Sequence, residues 1–212
     1  MGVKENLLNK ISLITDGEQR VFESGKKAEY DAFWDGLQNH GDGTADYRYM
    51  FWYWPDEIYN PKYPIYSTKS SMISCFQNAA ITNTKVDIDI SKTNTANGMF
   101  TFCKVRTIPK LIVSEKVTVE TMFSSCNTLE DLTVEGYFGT SITFASCTKL
   151  KKPSIVSVIN ALSPNKNGLT VTLSLASVQK AFETSEGAND GNTSAEWKTL
   201  TDTKTNWTIS LV

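Results

Sequence analysis

Few groups in this chain could carry acid–base, nucleophilic or metal chemistry: one histidine, His40, four cysteines, Cys75, Cys103, Cys126 and Cys147, and dispersed carboxylates. A Cys–His nucleophile pair would have to use His40. That residue lies beside Gly41 in a turn-like stretch, and no local signature marks any cysteine as its partner. Asp42-x-Thr44-x-Asp46 opens like a calcium loop. Tyr47, however, stands where the sharp-turn glycine belongs, and Tyr53 where the bidentate glutamate belongs. No two cysteines form a Cys-x-x-Cys pair, so zinc is not expected, and neither glycine-rich phosphate motif occurs. Asp87 and Asp89 alternate with Val86, Ile88 and Ile90, which puts both carboxylates on the outer face of a strand. They could hold a cation, but the plainer reading is a solvated sheet face. This inventory predicts no catalytic residue, no metal and no cofactor.

The cysteines gain a different meaning from the phrase around them. Met99-Phe100-x-x-Cys103 recurs as Met122-Phe123-x-x-Cys126 and as Thr143-Phe144-x-x-Cys147, with a fainter copy at Phe76-x-x-Ala79. The phenylalanines from Phe100 onward are 23 and 21 residues apart (123 − 100 and 144 − 123). After each phrase comes a short alternating segment, such as Leu129-x-x-Leu132-x-Val134 or Val86, Ile88 and Ile90. A period of 20 to 30 residues predicts stacked units, because one such unit cannot bury its apolar side alone. Equivalent cysteines then form an internal ladder of small hydrophobes rather than disulfides. The expected ladder is Phe76, Phe100, Phe123 and Phe144 with Cys103, Cys126 and Cys147.

The phrase Met-Phe-x-x-Cys-x-x-Leu-x-x-Leu resembles the leucine-rich repeat of the BspA-like class, over roughly residues 70 to 160. Two flanking segments, Lys26-Lys27-Ala28-Glu29-Tyr30-Asp31-Ala32-Phe33-Trp34-Asp35 and Asn60-Pro61-Lys62-Tyr63-Pro64-Ile65, are similar to a stretch that precedes such repeats in proteins of phages and prophages of gram-positive gut bacteria. The ending Asn206-Trp207-Thr208-Ile209-Ser210-Leu211-Val212 resembles that family's closing strand. The repeats here are few and uneven, and Pro153 replaces a strand residue in the last one. The resemblance implies a virion component of the tail, baseplate or fibre. Such a protein is made in the host cytoplasm and contacts other virion proteins, or protein or glycan on the host surface, and it could form a homo-oligomer. The alternatives are a bacterial surface adhesin with leucine-rich repeats and a carbohydrate-processing enzyme. The last would need a pair of Asp or Glu residues, and none is suggested locally.

The expected fold class is α+β. It comprises a short leucine-rich-repeat-like β-solenoid over 71–160, an aromatic-rich α/β cap and attachment region over 1–70, and an α/β capping module over 161–212. In the first part, Tyr30, Phe33, Trp34 and Leu37 have helical spacing. Tyr47 to Trp54 reads as a strand with Arg48, Met50, Trp52 and Trp54 on one face and Tyr47, Tyr49, Phe51 and Tyr53 on the other. It either seals the first coil or forms an exposed platform for a sugar or partner chain. In the last part, strands at Leu169–Leu173 and Thr208–Val212 flank helices at Ala176–Phe182 and Trp197–Leu200, with Ser174 or Ser177 and Ser194 as N-caps. The candidate interaction surface is Arg48, Trp52, Trp54, Asp87, Asp89, Thr133 and Glu135.

Composition limits the rest. A 40% hydrophobic, 21% charged chain of 212 residues argues for a folded protein over a disordered one. A net charge of −2 provides no electrostatic footprint for nucleic acid or an anionic membrane. No apolar run approaches the ~20 residues of a membrane span, so no membrane insertion is expected. Charges at Lys4 and Glu5 speak against a signal peptide, and Asn6 against myristoylation.

Overall fold

A computed structural model describes residues 47, 48, 51, 64–183 and 194–212. Its elements run β1 (Ile65–Tyr66), β2 (Ile88–Asp89), β3 (Thr107–Val113), β4 (Asp131–Gly136), β5 (Ile142–Phe144), α1 (Lys152–Asn160), β6 (Leu169–Leu173), α2 (Leu175–Phe182), α3 (Ala195–Asp202) and β7 (Trp207–Leu211). The described residues form a mixed α/β fold with two small parallel sheets, ordered β1-β2-β3-β4 and β5-β6-β7, and three helices. This corrects the expected fold class: in place of an α+β solenoid with two caps, the strands divide between separate sheets and helices interrupt them.

The division has a local cause at Pro153. Proline lacks the N–H that a central strand must donate, but it is preorganised for the first turn of a helix. Lys152–Asn160 accordingly folds as α1, with Pro153 in its first turn, and Ile155 becomes a buried helix residue instead of a strand residue. The helix still meets the sheet in register. Ser154 Oγ accepts from Leu132 N at 2.8 Å and donates to Glu130 O at 3.0 Å, and Ser157 Oγ accepts from Val134 N at 2.8 Å. Two serine hydroxyls thus take up the β4 edge where a fifth strand would otherwise pair. Removing such a partner strands a desolvated N–H. Ser154→Ala is therefore expected to cost about 1–3 kcal/mol, and Ser157→Ala less, because its bond is only partly buried. Chemical denaturation of both variants checks this.

A second proline explains an irregularity inside the sheet. Pairing of β3 with β4 shifts by one residue between Ile108 and Leu111, where Pro109 sits. A bulge is the permitted place for proline in a paired strand.

The Phe-x-x-Cys spacing is the spacing of a tight turn. Cys103 N donates to Phe100 O at 3.0 Å, Cys126 N to Phe123 O at 3.1 Å, Cys147 N to Phe144 O at 2.9 Å and Ala79 N to Phe76 O at 3.1 Å. In three of these turns the residue two after the phenylalanine has positive φ: Asn78 (58°), Phe102 (56°) and Ser125 (56°). That left-handed step reverses the chain so that both Phe and Cys point inward. Successive turns also bond to one another, Phe76 N to Met99 O at 2.7 Å and Phe100 N to Met122 O at 2.9 Å. The rings stack in a column with centroid spacings of 5.2 Å (Phe76–Phe100), 5.4 Å (Phe100–Phe123) and 4.9 Å (Phe123–Phe144). These match the ~4.8 Å separation of neighbouring strands.

The closing elements lie within one or two residues of expectation. Ser194 Oγ accepts from Trp197 N at 3.1 Å as an N-cap of α3, whereas Ser174, at the N-cap of α2, makes no such bond. Asn206 Nδ2 and Trp207 Nε1 both donate to Ser163 O at 2.9 Å, which ties the start of β7 to the chain just beyond α1.

The strand expected over Tyr47 to Trp54 is corrected at its three described residues. Tyr47 has no regular structure, and Arg48 and Phe51 lie in turns, not in a strand. Phe51 is fully buried and stacks on Phe76 at 4.8 Å, while its N–H donates to Cys75 O at 2.8 Å. Phe51 thus joins the stacked column next to Phe76, from within a turn. His40, the helix expected over Ala28 to Leu37, Trp52 and Trp54 lie outside the described residues.

Candidate interaction face

The outer face of the four-stranded sheet collects the strand residues singled out in the sequence. Ile65, Ile88 and Leu111 align across the strands and are buried. Tyr66, Asp89, Ile112 and Glu135 form the next aligned row, partly or fully exposed. Alternation of the pleat makes this row the solvent face. Beside it run Asp87, Lys110 and Thr133. Lys110 Nζ lies 3.6 Å from Asp87 Oδ2 and 3.5 Å from Glu135 Oε2. The Asp87 carboxylate, then that of Glu135, holds the Lys110 pKa above its ordinary value.

The structure therefore brings Asp87 and Glu135 together around a cation supplied by the chain itself. Asp89 does something else: its Oδ1 accepts from Ser91 N at 2.8 Å and closes a local turn. Thr133 is exposed on β4, across from the bulge at Pro109. Arg48 is exposed in its turn. These contacts divide the two carboxylates between separate partners. Among the described residues, no group of three or more His, Cys, Asp or Glu side chains could hold a metal ion. Nor is any described helix long and apolar enough to cross a membrane.

A second charged cluster was not singled out in the sequence, because its members are remote in the chain. Arg106 Nη2 reaches Glu130 Oε1 at 2.7 Å, and Lys151 Nζ lies 2.7 Å from Asp131 Oδ2 and 3.6 Å from Glu130 Oε2. The unit period was the available signal, since Arg106 and Glu130 are one unit apart (130 − 106 = 24). The hydrogen bond from Arg106 holds the Glu130 pKa below the ordinary carboxylate value, with Lys151 adding to it. A carboxylate whose pKa is lower in the folded state stabilises the fold above its unfolded pKa of ~4.3 and ceases to do so as pH falls through the lowered value. Melting temperature should accordingly fall on acidification below about pH 4.3, and Glu130→Gln should remove part of that dependence. A pH series of thermal melts tests it.

The thiols belong to the interior. Cys75, Cys103, Cys126 and Cys147 are all free and buried. The ladder members donate to backbone carbonyls: Cys103 Sγ to Ile81 O, Cys126 Sγ to Cys103 O and Cys147 Sγ to Phe123 O. Burial, then the neighbouring Cys126, raises the Cys103 pKa. A hydrogen bond with Cys147, then burial, raises that of Cys126. Nucleophilic cysteines need the opposite shift. Native thiol labelling should be slow at all four and fast after denaturation, as read by mass spectrometry.

An apolar cleft of about 420 Å³ lies among the helices, lined by Val156, Phe182, Ala195, Glu196, Thr199 and Leu200. Glu196, the carboxylate in that lining, is ion-paired to Lys152 at 2.5 Å, and Lys152 Nζ also sits 5.3 Å from the Phe182 ring centroid. No protein-family model, curated protein or solved structure matches this chain.

Proposed function

We propose that this chain is a non-enzymatic structural and interaction protein, a virion component of the tail, baseplate or fibre of a phage. In this reading it docks to another protein chain through the outer face of the four-stranded sheet. The observation that carries the docking role is the aligned row Tyr66, Asp89, Ile112 and Glu135 with Lys110 beside it. The row sets a tyrosine and an isoleucine, both partly exposed, among charges on a rigid sheet. Mixed apolar and charged character of this kind suits a protein partner. The phage source rests on the resemblance of the flanking segments to phage and prophage proteins.

Charge reversal separates binding from folding. Lys110→Glu and Glu135→Lys change only exposed, solvent-screened pairs, so their melting temperatures should stay close to that of the parent. Each should weaken binding of the labelled chain to dissociated particles of the encoding phage by at least about tenfold, since facing like charges penalise association. Unchanged binding in both variants counts against the sheet face. Binding to host cell-wall glycan instead of virion protein would move the reading to host-surface attachment. Hydrolysis of glycan or peptide that is abolished by His40→Ala or Cys75→Ala would overturn the non-enzymatic reading.

A further inference from the structure

The two outer strands named β4 and β7 are treated differently by the fold. The β4 edge is closed by Ser154 and Ser157, whereas β7 is the outermost strand of its sheet. Gly168 N donates to Asn206 O at 3.1 Å, Val212 N donates to Leu173 O at 3.1 Å, and Val212 O accepts from Leu175 N at 2.8 Å. Even-numbered residues from Asn206 to Val212 thus turn their backbone groups toward the β6 side. By the alternation of a parallel ladder, Ile209 and Leu211 turn their N–H and C=O groups outward. Among the described residues no side chain or further strand takes up those four groups.

Within its own sequence the strand carries no charged or helix-breaking guard residue. Residues 207–212 contain no lysine, no proline and no glycine, and the pairing with β6 runs without a bulge. Thr208 is exposed, and Val212 is 63% exposed.

We propose that β7 pairs antiparallel with β7 of a second copy of this chain, about a two-fold axis through Ser210. In that register Ile209 faces Leu211 of the second copy. The N–H of each bonds the C=O of the other, and symmetry repeats the pair, so four hydrogen bonds take up the N–H and C=O of Ile209 and Leu211 in both copies. Ser210 then faces its own equivalent at a position without hydrogen bonds, where strands come closest and a small side chain fits. Thr208 of one copy covers Val212 of the other. No side chain in 207–212 is charged, so the side chains of two identical edges meet without like-charge repulsion. A two-fold contact of this kind is self-complementary and closed. It is independent of what the other sheet's outer face binds.

Sedimentation equilibrium of the full chain, from dilute to concentrated solution, tests the pairing. The parent chain should dimerise with concentration. Leu211→Pro removes an N–H that points away from β6, so the internal ladder survives while association should weaken at least tenfold, with an unchanged circular dichroism spectrum. Ser210→Lys and Ser210→Glu supply a test that tolerates misfolding of the proline variant. Each alone should be monomeric, because like charges meet on the axis, and an equimolar mixture should dimerise. A parent chain that stays monomeric throughout would overturn the proposal. So would a dimer that Leu211→Pro and the Ser210 variants leave intact, or a mixture no more associated than its components.

Discussion

Phe123→Ala is expected to cost about 3–5 kcal/mol, the range for a fully buried phenylalanine. Phe123 has no exposure to solvent and is held between Phe100 at 5.4 Å and Phe144 at 4.9 Å, with interplanar angles of 2° and 22°. Truncation removes both stacking partners at once. The turns above and below cannot close on the gap, because backbone hydrogen bonds fix their spacing, as from Phe100 N to Met122 O. The loss is a large share of the roughly 5–15 kcal/mol that stabilises a typical domain. Denaturant titration reads it directly. Asp89→Ala is the matched control. It removes one partly exposed turn-closing bond and should be nearly silent.

Gly139→Ala is expected to be comparably severe for an opposite reason. A Cβ built at Gly139 would lie 2.1 Å from Glu115 O and 2.6 Å from both the Glu115 carbonyl carbon and its Cα. All three are backbone atoms, so no rotamer change relieves the overlap. The neighbouring chain cannot retreat freely either: Phe138 N donates to Ala161 O at 2.8 Å, Ser163 N to Phe138 O at 3.2 Å, and Ser163 Oγ to the Glu115 carboxylate at 2.5 Å. Overpacking of this kind costs about 3 kcal/mol or more. Gly168 calibrates it. A Cβ there meets nothing within 4 Å, and only its positive φ of 70° opposes a side chain, so Gly168→Ala should cost roughly 1–2 kcal/mol. Thermal melts of the two variants side by side separate steric overlap from backbone strain.

Much of the column was legible because its spacing is enforced by a hydrogen-bonded turn. Phe and Cys three apart are the two inward-facing ends of that turn, so the pattern survives as sequence. The same logic extends to Phe51: Met50-Phe51 repeats the Met-Phe pair of Met99-Phe100 and Met122-Phe123, 25 residues before Phe76 (76 − 51). It was obscured by the surrounding aromatic residues, whose alternation also reads as a strand. The outer-face residues Asp87, Asp89, Thr133 and Glu135 followed from period-two alternation alone. Their partners did not. Lys110 is drawn between two carboxylates only because the Pro109 bulge sets the register of β3 against β4, and such a shift leaves no periodic trace.

The division into two sheets was the least legible feature. Pro153 marked an irregularity, but the outcome depends on Ser154 and Ser157 reaching β4 backbone groups 22 and 23 residues back (154 − 132 and 157 − 134). A serine hydroxyl that substitutes for a strand has no sequence signature of its own. Charge pairing across units, as between Arg106 and Glu130, likewise becomes readable only once the layers are in place.

The most direct test of the proposed role is proteomics of phage particles, induced from a strain that encodes this chain and purified through a density gradient. Peptides of this chain should co-sediment with tail proteins in a fixed ratio across the particle peak and persist after a high-salt wash. Recovery of the chain only in the cell envelope or soluble fraction, with particles complete without it, would contradict that role.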